Sequence, residues 1–449
     1  MMLAPGTRVH IVGIGGAGMS GVATLLHERG LVVTGSDAQA SAAIDALRER
    51  GVTVFVGHDA SHSEGAEVVL WSPAVALDHV EIEAARANGA QLLQRAELLE
   101  ALGEAYRVVG LTGTHGKTTA TSMMAYVFAA AHRDASRLLG AAVRGLGGNG
   151  HDGTSGELLL EVDESYGTFG RISPYALGVL NVEPDHLDHY GTFDALRDAF
   201  VSLVERTLGP VVLWTDDSGA RDVDERAQRS TVTVGREPPS MWRVRDEQTH
   251  RDGSSFVLEG DEEISVRLAV SGAHNVANAA VVAVLAHQVG IAPEAISAGL
   301  AAFPGAPRRF ERRGRLGTMD VVEDYAHLPG EIAATIQCAK DLGYERIAAI
   351  FQPHRVTRTV AIGEGFAPAF DGADVVVIAD LYTAGEANPQ GITGAYVATP
   401  LATRRNGVFY APTFDDVRTQ LATVEADIVL LLGAGDIATV LDDLPGLTR

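Results

Sequence analysis

The chain has 449 residues, 46% hydrophobic and 21% charged, and carries a net charge of −23. That length calls for about two to four domains, and the acidic balance argues against nonspecific binding to nucleic acid or to an anionic membrane surface. No apolar run reaches bilayer-spanning length, Met1–Gly6 has neither the charged nor the apolar region of a signal peptide, and the lone Cys338 excludes an internal disulfide or a cysteine zinc site. A cytoplasmic protein with a small, buried thiol is expected.

Residues 8–104 alternate short apolar strands (Val9–Gly13, Val32–Gly35, Val52–Val56, Val68–Trp71, Gln91–Leu93) with helix-like runs (Met19–Arg29, Ser41–Arg50, His79–Ala87), the pattern of a parallel sheet covered by helices. The first strand runs into Gly13-Ile14-Gly15-Gly16-Ala17-Gly18, and an acid, Asp37, ends the second. By itself this matches a dinucleotide fingerprint, but the same geometry seats any diphosphate, and tight strand–helix packing explains some of the glycines.

From Tyr106 a second unit begins. An apolar strand leads into Gly113-Thr114-His115-Gly116-Lys117-Thr118-Thr119, and a helix-compatible stretch follows. Strand, glycine-rich turn, Lys-Thr and helix form a phosphate cradle: glycines admit backbone N–H groups to phosphate oxygens, Lys117 brings a mobile charge, and the Thr118 hydroxyl is placed for Mg²⁺. The spacing is shorter than G-x-x-x-x-G-K-[ST], because Leu111 stands where that pattern needs glycine. Of 35 basic residues only Lys117 and Lys340 are lysine, so a chain that otherwise uses arginine keeps a compact ammonium inside this loop.

Strands Glu157–Val162 and Ala176–Val182 each end in acids. Glu161 reads as a hard oxygen ligand for Mg²⁺, whereas Glu164 reads better as a solvated loop acid. Asn181-Val182-Glu183-Pro184-Asp185-His186-Leu187-Asp188-His189-Tyr190 gathers potential ligands at the other strand end, His186 foremost. Residues 231–270 read as an antiparallel appendage without evident chemistry. His274-Asn275-Val276-Ala277-Asn278 opens a helix and is equally readable as capping. Phe303–Pro307 is the best linker candidate. Arg308-Arg309 follows it, as ready to meet a phosphate as to form a solvated cluster. The third unit alternates again, with polar clusters after two strands: Asp324-Tyr325-Ala326-His327 and Gln352-Pro353-His354-Arg355-Val356-Thr357-Arg358. Two arginines three apart at a helix start can grip a carboxylate or phosphate.

In order, these clusters resemble the Mur ligases, the ATP-dependent amino-acid ligases of peptidoglycan synthesis. The resemblance spans essentially the whole chain. It implies three α/β domains: a Rossmann-like N-terminal domain (1–104) for a UDP-sugar, a central P-loop ATPase-type domain with an antiparallel appendage (105–307), and a Rossmann-like C-terminal domain (308–449) for the amino acid. Gly13–Ser20, Gln352–Arg355 and Tyr382–Glu386 are most similar to the branch that joins L-alanine to UDP-N-acetylmuramate. Its nearest sibling adds a preformed tripeptide and stands as the alternative. A dehydrogenase would leave the phosphate loop and both histidine clusters unexplained, and a non-catalytic homologue would have lost some of Lys117, Thr118, Glu161 and His186.

The resemblance implies UDP-sugar contacts from Gly15, Gly16, Ala17, Gly18, Met19, Ser20, Ser36, Asp37, Ser72 and Pro73. It implies ATP contacts from Gly113, Thr114, His115, Gly116, Lys117, Thr118, Thr119, Asn278, Arg309 and Asp324. Amino-acid contacts would come from Tyr325, His327, His354, Arg355 and Arg358, and metal ligation from Thr118, Glu161 and His186, with Lys117, His186, Glu161 and Arg355 as the catalytic set. Two Mg²⁺ ions, replaceable by Mn²⁺, and a monomer or weak homodimer are expected. Several siblings bridge their metals with a carbamylated lysine; neither lysine here suits that role, and the alanine-adding branch shares this absence. The chain departs from that branch at Leu328, where a second histidine often stands, and at Ala326, where glycine does.

Overall fold

The computed structural model describes residues 4–72, 75–164, 169–442 and 444–448, with the backbone alone at Leu187 and Asp188. The chain falls into two compact units, Met1–Pro304 and Gly305–Arg449. The division lies inside the breaker-rich segment 303–307.

Three sheets are present among the described residues. In the first unit, β1 (Arg8–Val12), β2 (Val32–Asp37), β3 (Thr53–Val56), β4 (Val68–Trp71) and β5 (Gln91–Gln94) form a parallel sheet of order β3-β2-β1-β4-β5. Side chains alternate across it. Val68 and Leu70 enter one buried cluster, while Val69 and Trp71 join Val12, Ile82 and Ala85 in another. Burial on both faces explains why β4 reads as an unbroken apolar run. The order reverses between β1 and β4, so Gly13 and Ser72 flank the crevice at the switch point, where sheets of this kind take ligands. A Cβ on Gly13 would stand 3.2 Å from Ser72 Cβ.

The central sheet comprises β6 (Arg107–Thr112), β7 (Ser136–Val143), β8 (Gly148–His151), β9 (Glu157–Glu161), β10 (Ala176–Val179), β11 (Val211–Trp214), β12 (Val232–Gly235), β13 (Trp242–His250), β14 (Gly253–Glu259) and β15 (Glu263–Leu268). Its order is β15-β14-β13-β12-β11-β10-β6-β9-β7-β8, with β13–β15 antiparallel at one edge. This matches the appendage expected over 231–270. The β7–β8 hairpin is new: five glycines between 140 and 150 obscure its strand pattern in the sequence. It seats the first sheet's domain. Asn149 Nδ2 donates to Ala17 O (2.6 Å) and to Ser20 Oγ (3.1 Å), and a Cβ on Gly150 would stand only 2.0 Å from Gly21 O.

In the second unit, β16 (Glu311–Leu316), β17 (Met319–Asp324), β18 (Ile347–Phe351), β19 (Val375–Ala379), β20 (Val408–Ala411), β21 (Ile428–Leu432) and β22 (Leu447–Thr448) pair in the order β20-β19-β18-β21-β17-β16-β22. Strands β17 to β21 bury alternate residues in two clusters, one with Val322, Ile350's neighbour Phe351 and Leu430, the other with Val321, Ile350 and Leu431. Cys338 is buried in the first, and burial pushes its thiol up to about 12, consistent with an inert packing role. No helix of the described residues is long and apolar enough to cross a membrane.

Candidate active site

In the central sheet β6 lies between β10 and β9. The carboxyl ends of these three parallel strands therefore bring together the loop 113–116, the acids after β9, and the Asn181–His186 segment after β10. Gly113 and Gly116 take left-handed φ values of +146° and +84°, and a Cβ on either would meet Asn181 (3.0 Å) or Asn278 (2.6 Å) respectively, so glycine is required at both. The helix Lys117–Ala130 starts directly after this turn.

Asn181 clamps the loop. Its Oδ1 accepts from His115 N–H (2.7 Å), its Nδ2 donates to His115 O (3.0 Å), and its carbonyl accepts from Thr114 N–H (3.1 Å). The Thr114 hydroxyl accepts from Glu183 N–H at 2.8 Å. Lys117 Nζ donates to the carbonyls of Gly113 (2.8 Å) and Thr114 (3.2 Å) and to both oxygens of Glu164 (2.7 and 3.0 Å). Thr118 Oγ1 donates to Glu161 Oε2 at 2.8 Å. A Cβ on Gly140 would stand 2.3 Å from that carboxylate oxygen.

Glu164 corrects the sequence reading. It is not a solvated loop acid but 1% exposed, with burial pushing its carboxyl up and Lys117 opposing that rise. His186 Nε2 lies 3.6 Å from Glu164 Oε1, and ligand atoms of Asp163, Glu164 and His186 all fall within 4.8 Å of one another. Tyr190 Oη donates to Glu164 O (2.5 Å), and burial holds its phenol up at about 12. The acidic neighbours Asp163 and Glu161 also face the largely buried Arg95, whose guanidinium approaches Gly18. Sequence reasoning missed Arg95, because nothing local marks it.

Asn278 is buried against Gly116. The helix carrying it, Ala273–Gln288, begins earlier than expected, with Gly272 as its N-cap. His274 and Asn275 are therefore in its first turn and do not cap it; Asn275 Nδ2 donates back to Ser271 O at 2.8 Å.

In the N-terminal domain the Gly13–Ser20 turn opens the helix Ala17–Glu28, as expected. Asp37 Oδ2 accepts from Gly15 N–H (2.9 Å), tying the two halves of the fingerprint together. Ser36 turns inward: it is fully buried and its hydroxyl donates to Glu81. Glu81 was not foreseen. It too is fully buried, with His10 Nε2 at 3.0 Å, His58 Nδ1 at 3.2 Å and His62 Nδ1 at 3.1 Å. Burial alone would raise its carboxyl, but the bonds from His10, Ser36 and His62 bring it down to about 2. Pro73 and Ala74 lie outside the described residues.

In the second unit the two polar clusters do meet. His327 and His354 rings stand 5.9 Å apart, Tyr325 packs edge-on against His327 at 5.3 Å, and Tyr382 stacks on His354 at 5.5 Å. Arg358 Nη1 lies 3.1 Å from His354 Nδ1. Burial, Arg358 and His327 press the His354 imidazole down to about 4, so it is neutral at pH 7 and accepts from the guanidinium. Arg355 adopts φ +68° at the N-cap of the helix Val356–Ile362, its N–H on Tyr382 O (2.8 Å). Glu386 receives the Thr357 N–H (3.0 Å) and lies 3.9 Å from Arg355.

Asp324 accepts backbone N–H groups from Phe310 (2.7 Å) and Ala326 (2.8 Å). Burial raises its carboxyl, while Arg309 opposes that. The two adjacent arginines diverge in use. Both lie over the Tyr325 ring, at 4.9 and 5.2 Å, but Arg308 is also spent on the carbonyls of Gly433 (2.6 Å) and Gly435 (2.9 Å) and on Glu323 (2.8 Å).

Family models match in the same order as the sheets: the Mur ligase family catalytic domain over residues 8–107, the Mur ligase middle domain over 111–286, and the Mur ligase glutamate ligase domain over 308–435. The chain belongs to the Mur ligase family. Among curated relatives it is 41% identical to UDP-N-acetylmuramate–L-alanine ligase of Kineococcus radiotolerans, covering 96% of this chain and 94% of that one. It is 37% identical to the enzyme of the same name from Caulobacter sp. strain K31, covering 98% and 96%. The crystal structure of UDP-N-acetylmuramate-alanine ligase from Thermotoga maritima superposes with a TM-score of 0.82 at 30% identity, covering 97% of this chain and 98% of that one.

Proposed function

We propose that this chain joins L-alanine to the carboxylate of UDP-N-acetylmuramate at the expense of ATP, through an acyl phosphate, in the synthesis of peptidoglycan precursors. One observation carries this reading. The phosphate loop, the Thr118–Glu161 pair and the Asp163–Glu164–His186 group meet at the ends of three adjacent strands. The names of relatives matched over nearly the full chain supply the substrates. The domain boundaries 1–104, 105–307 and 308–449 are proposed with it.

A carboxylate is a poor electrophile because its leaving group would be oxide. Phosphorylation by the γ-phosphoryl group of ATP replaces that leaving group with phosphate. The alanine amine then attacks the carbonyl, loses a proton, and the tetrahedral intermediate expels phosphate. The protein's part is positioning and charge stabilisation. Lys117 leaves Glu164 to reach the phosphoryl oxygens, and the N–H groups of Gly116, Lys117 and Thr118, outside the Asn181 clamp on Thr114 and His115, line the rest. Asn278, Arg309 and Asp324 bind the nucleotide. Arg355 and Arg358 hold the amino-acid carboxylate, and neutral His354 with Tyr325 and His327 shapes that site. Gly15–Ser20, Asp37 and Ser72 bind the sugar nucleotide; Ser36 supports that turn from behind, its carbonyl accepting from Gly13 N–H (2.8 Å) and Ile14 N–H (3.0 Å) and its hydroxyl facing Glu81.

The Thr118 hydroxyl and Glu161 carboxylate are hard oxygen donors that fit Mg²⁺, and the Asp163–Glu164–His186 group fits a second ion, Mn²⁺ included. Ions held there would neutralise charge developing on the transferring phosphoryl group. ATP consumption supports a cytoplasmic location. Phosphate release with UDP-N-acetylmuramate, ATP and each amino acid in turn tests the reading. L-alanine should give the highest kcat/KM against glycine and L-serine; turnover with a tripeptide but not with L-alanine overturns it in favour of the sibling activity.

A further inference from the structure

Beyond the ligase site, the N-terminal domain holds an unusual density of imidazoles. His10, His58, His62 and His79 surround the single carboxylate of Glu81. Glu81 Oε2 is fixed from inside by His10 Nε2 (3.0 Å) and the Ser36 hydroxyl, while Oε1 faces His58 and His62 toward the part-exposed side. His58 and His79 meet edge to face at 4.4 Å. One ligand atom from each of His58, His79 and Glu81 lies within 4.8 Å of the others.

We propose that His58, His79 and Glu81 form a binding site for a borderline transition-metal cation of the Zn²⁺ class, separate from the Mg²⁺ sites of the phosphate loop. Two imidazoles and a carboxylate are a three-ligand set that Zn²⁺ takes with a fourth, open position. Mg²⁺ prefers oxygen alone, so the donor set discriminates against the ion the ligation needs. A tetrahedral ion with ligands about 2.0–2.2 Å away needs its donors about 3.4 Å apart. A side-chain shift of roughly 1 Å closes the observed group to that spacing; it exchanges the long contacts of His58 Nδ1 with Glu81 and Ser36 (both 3.2 Å) and of His79 Nδ1 with Glu81 N–H (3.3 Å) for bonds to the ion.

The surroundings match a metal site in two further respects. Ligating carboxylates are held by hydrogen bonds on their far oxygen, which is what His10 and Ser36 do for Glu81. His79 sits at the N-cap of the helix Val80–Ala87, with Glu81 N–H on its Nδ1 at a long 3.3 Å. Imidazole is not among the preferred capping groups, so capping alone does not account for it. The site lies beyond the carboxyl ends of β2, β3 and β4, the face on which Ser36 and Asp37 also lie. A bound ion would thus adjoin the crevice of this domain.

Metal-stripped full-length protein titrated with Zn²⁺ by calorimetry tests this, with His79→Asn, His58→Gln and His186→Ala beside it. Asparagine preserves the N-cap, so H79N should keep the fold by circular dichroism. The wild type and H186A should each bind a stoichiometric Zn²⁺ and melt at higher temperature with it. H79N and H58Q should lose more than about 100-fold in affinity for that ion and lose its thermal shift. Co²⁺ should give the visible bands of a low-coordinate N/O site in wild type and H186A but not in H79N. Equal Zn²⁺ affinity in wild type and H79N, or loss of all stoichiometric binding in H186A alone, overturns the proposal.

Discussion

Replacing Gly140 with alanine should disable the Thr118–Glu161 pair proposed to hold the nucleotide's metal ion while sparing the fold. The new Cβ would stand 2.3 Å from Glu161 Oε2 and 2.6 Å from Thr118 Oγ1. Non-bonded contact needs about 3.5 Å. Both obstructing atoms are ends of side chains, so β7 holds and the pair gives way by roughly 1 Å, a displacement that costs about 100-fold when it falls on catalytic groups. The expected result is a kcat/KM for MgATP lower by about 100-fold, or about 2.7 kcal/mol, with urea-unfolding stability changed by less than about 1 kcal/mol. Gly103→Ala is the control: nothing lies within 4 Å of its Cβ, so activity should hold and the helix should gain up to about 1 kcal/mol. Phosphate release and urea titration on the same preparations read both quantities. Wild-type kcat/KM in G140A would refute the assignment of Thr118 and Glu161 to the nucleotide's metal ion, and so would an equal loss in G103A.

Three further outcomes are expected. Lys117→Met should abolish ligation and strand the buried Glu164, costing about 3–5 kcal/mol; adding Glu164→Gln should restore most of the stability in urea titrations but none of the phosphate release. Arg358→Ala should raise the KM for L-alanine far more than that for ATP, and unchanged alanine kinetics would remove Arg358 from the amino-acid site. His354 has its folded pKa depressed from 6.5 to about 4, so the unfolded chain binds the extra proton first. Its neutral form supports the fold above pH 6.5, and that support is lost as pH falls toward about 4; His354→Asn should flatten that part of the stability–pH curve, measured by chemical denaturation.

The sequence by itself determined what depends on consecutive residues. The glycines and Lys117 of the phosphate loop, the alternation of strands and helices, the antiparallel appendage and the breaker-rich segment near 303–307 are all local patterns, and turn geometry or side-chain period makes them readable. Even the polar clusters at strand ends were legible, because a parallel sheet sends every carboxyl end to one side.

Strand order and burial belong to the tertiary structure. Only the placement of β6 between β10 and β9 makes Asn181 the clamp of a loop 66 residues away. Glu164 looked like a loop acid because sequence gives no measure of depth; its partner Lys117 lies 47 residues earlier. Gly140 carries no signal at all, since the need for hydrogen at that position comes from side chains on two other elements. The histidines around Glu81 come from β1, the segment after β3 and the turn before Val80–Ala87. Each is an ordinary residue in its own stretch of chain. Only folding brings them to one carboxylate, because a shared charge acts through distance in space and not along the sequence.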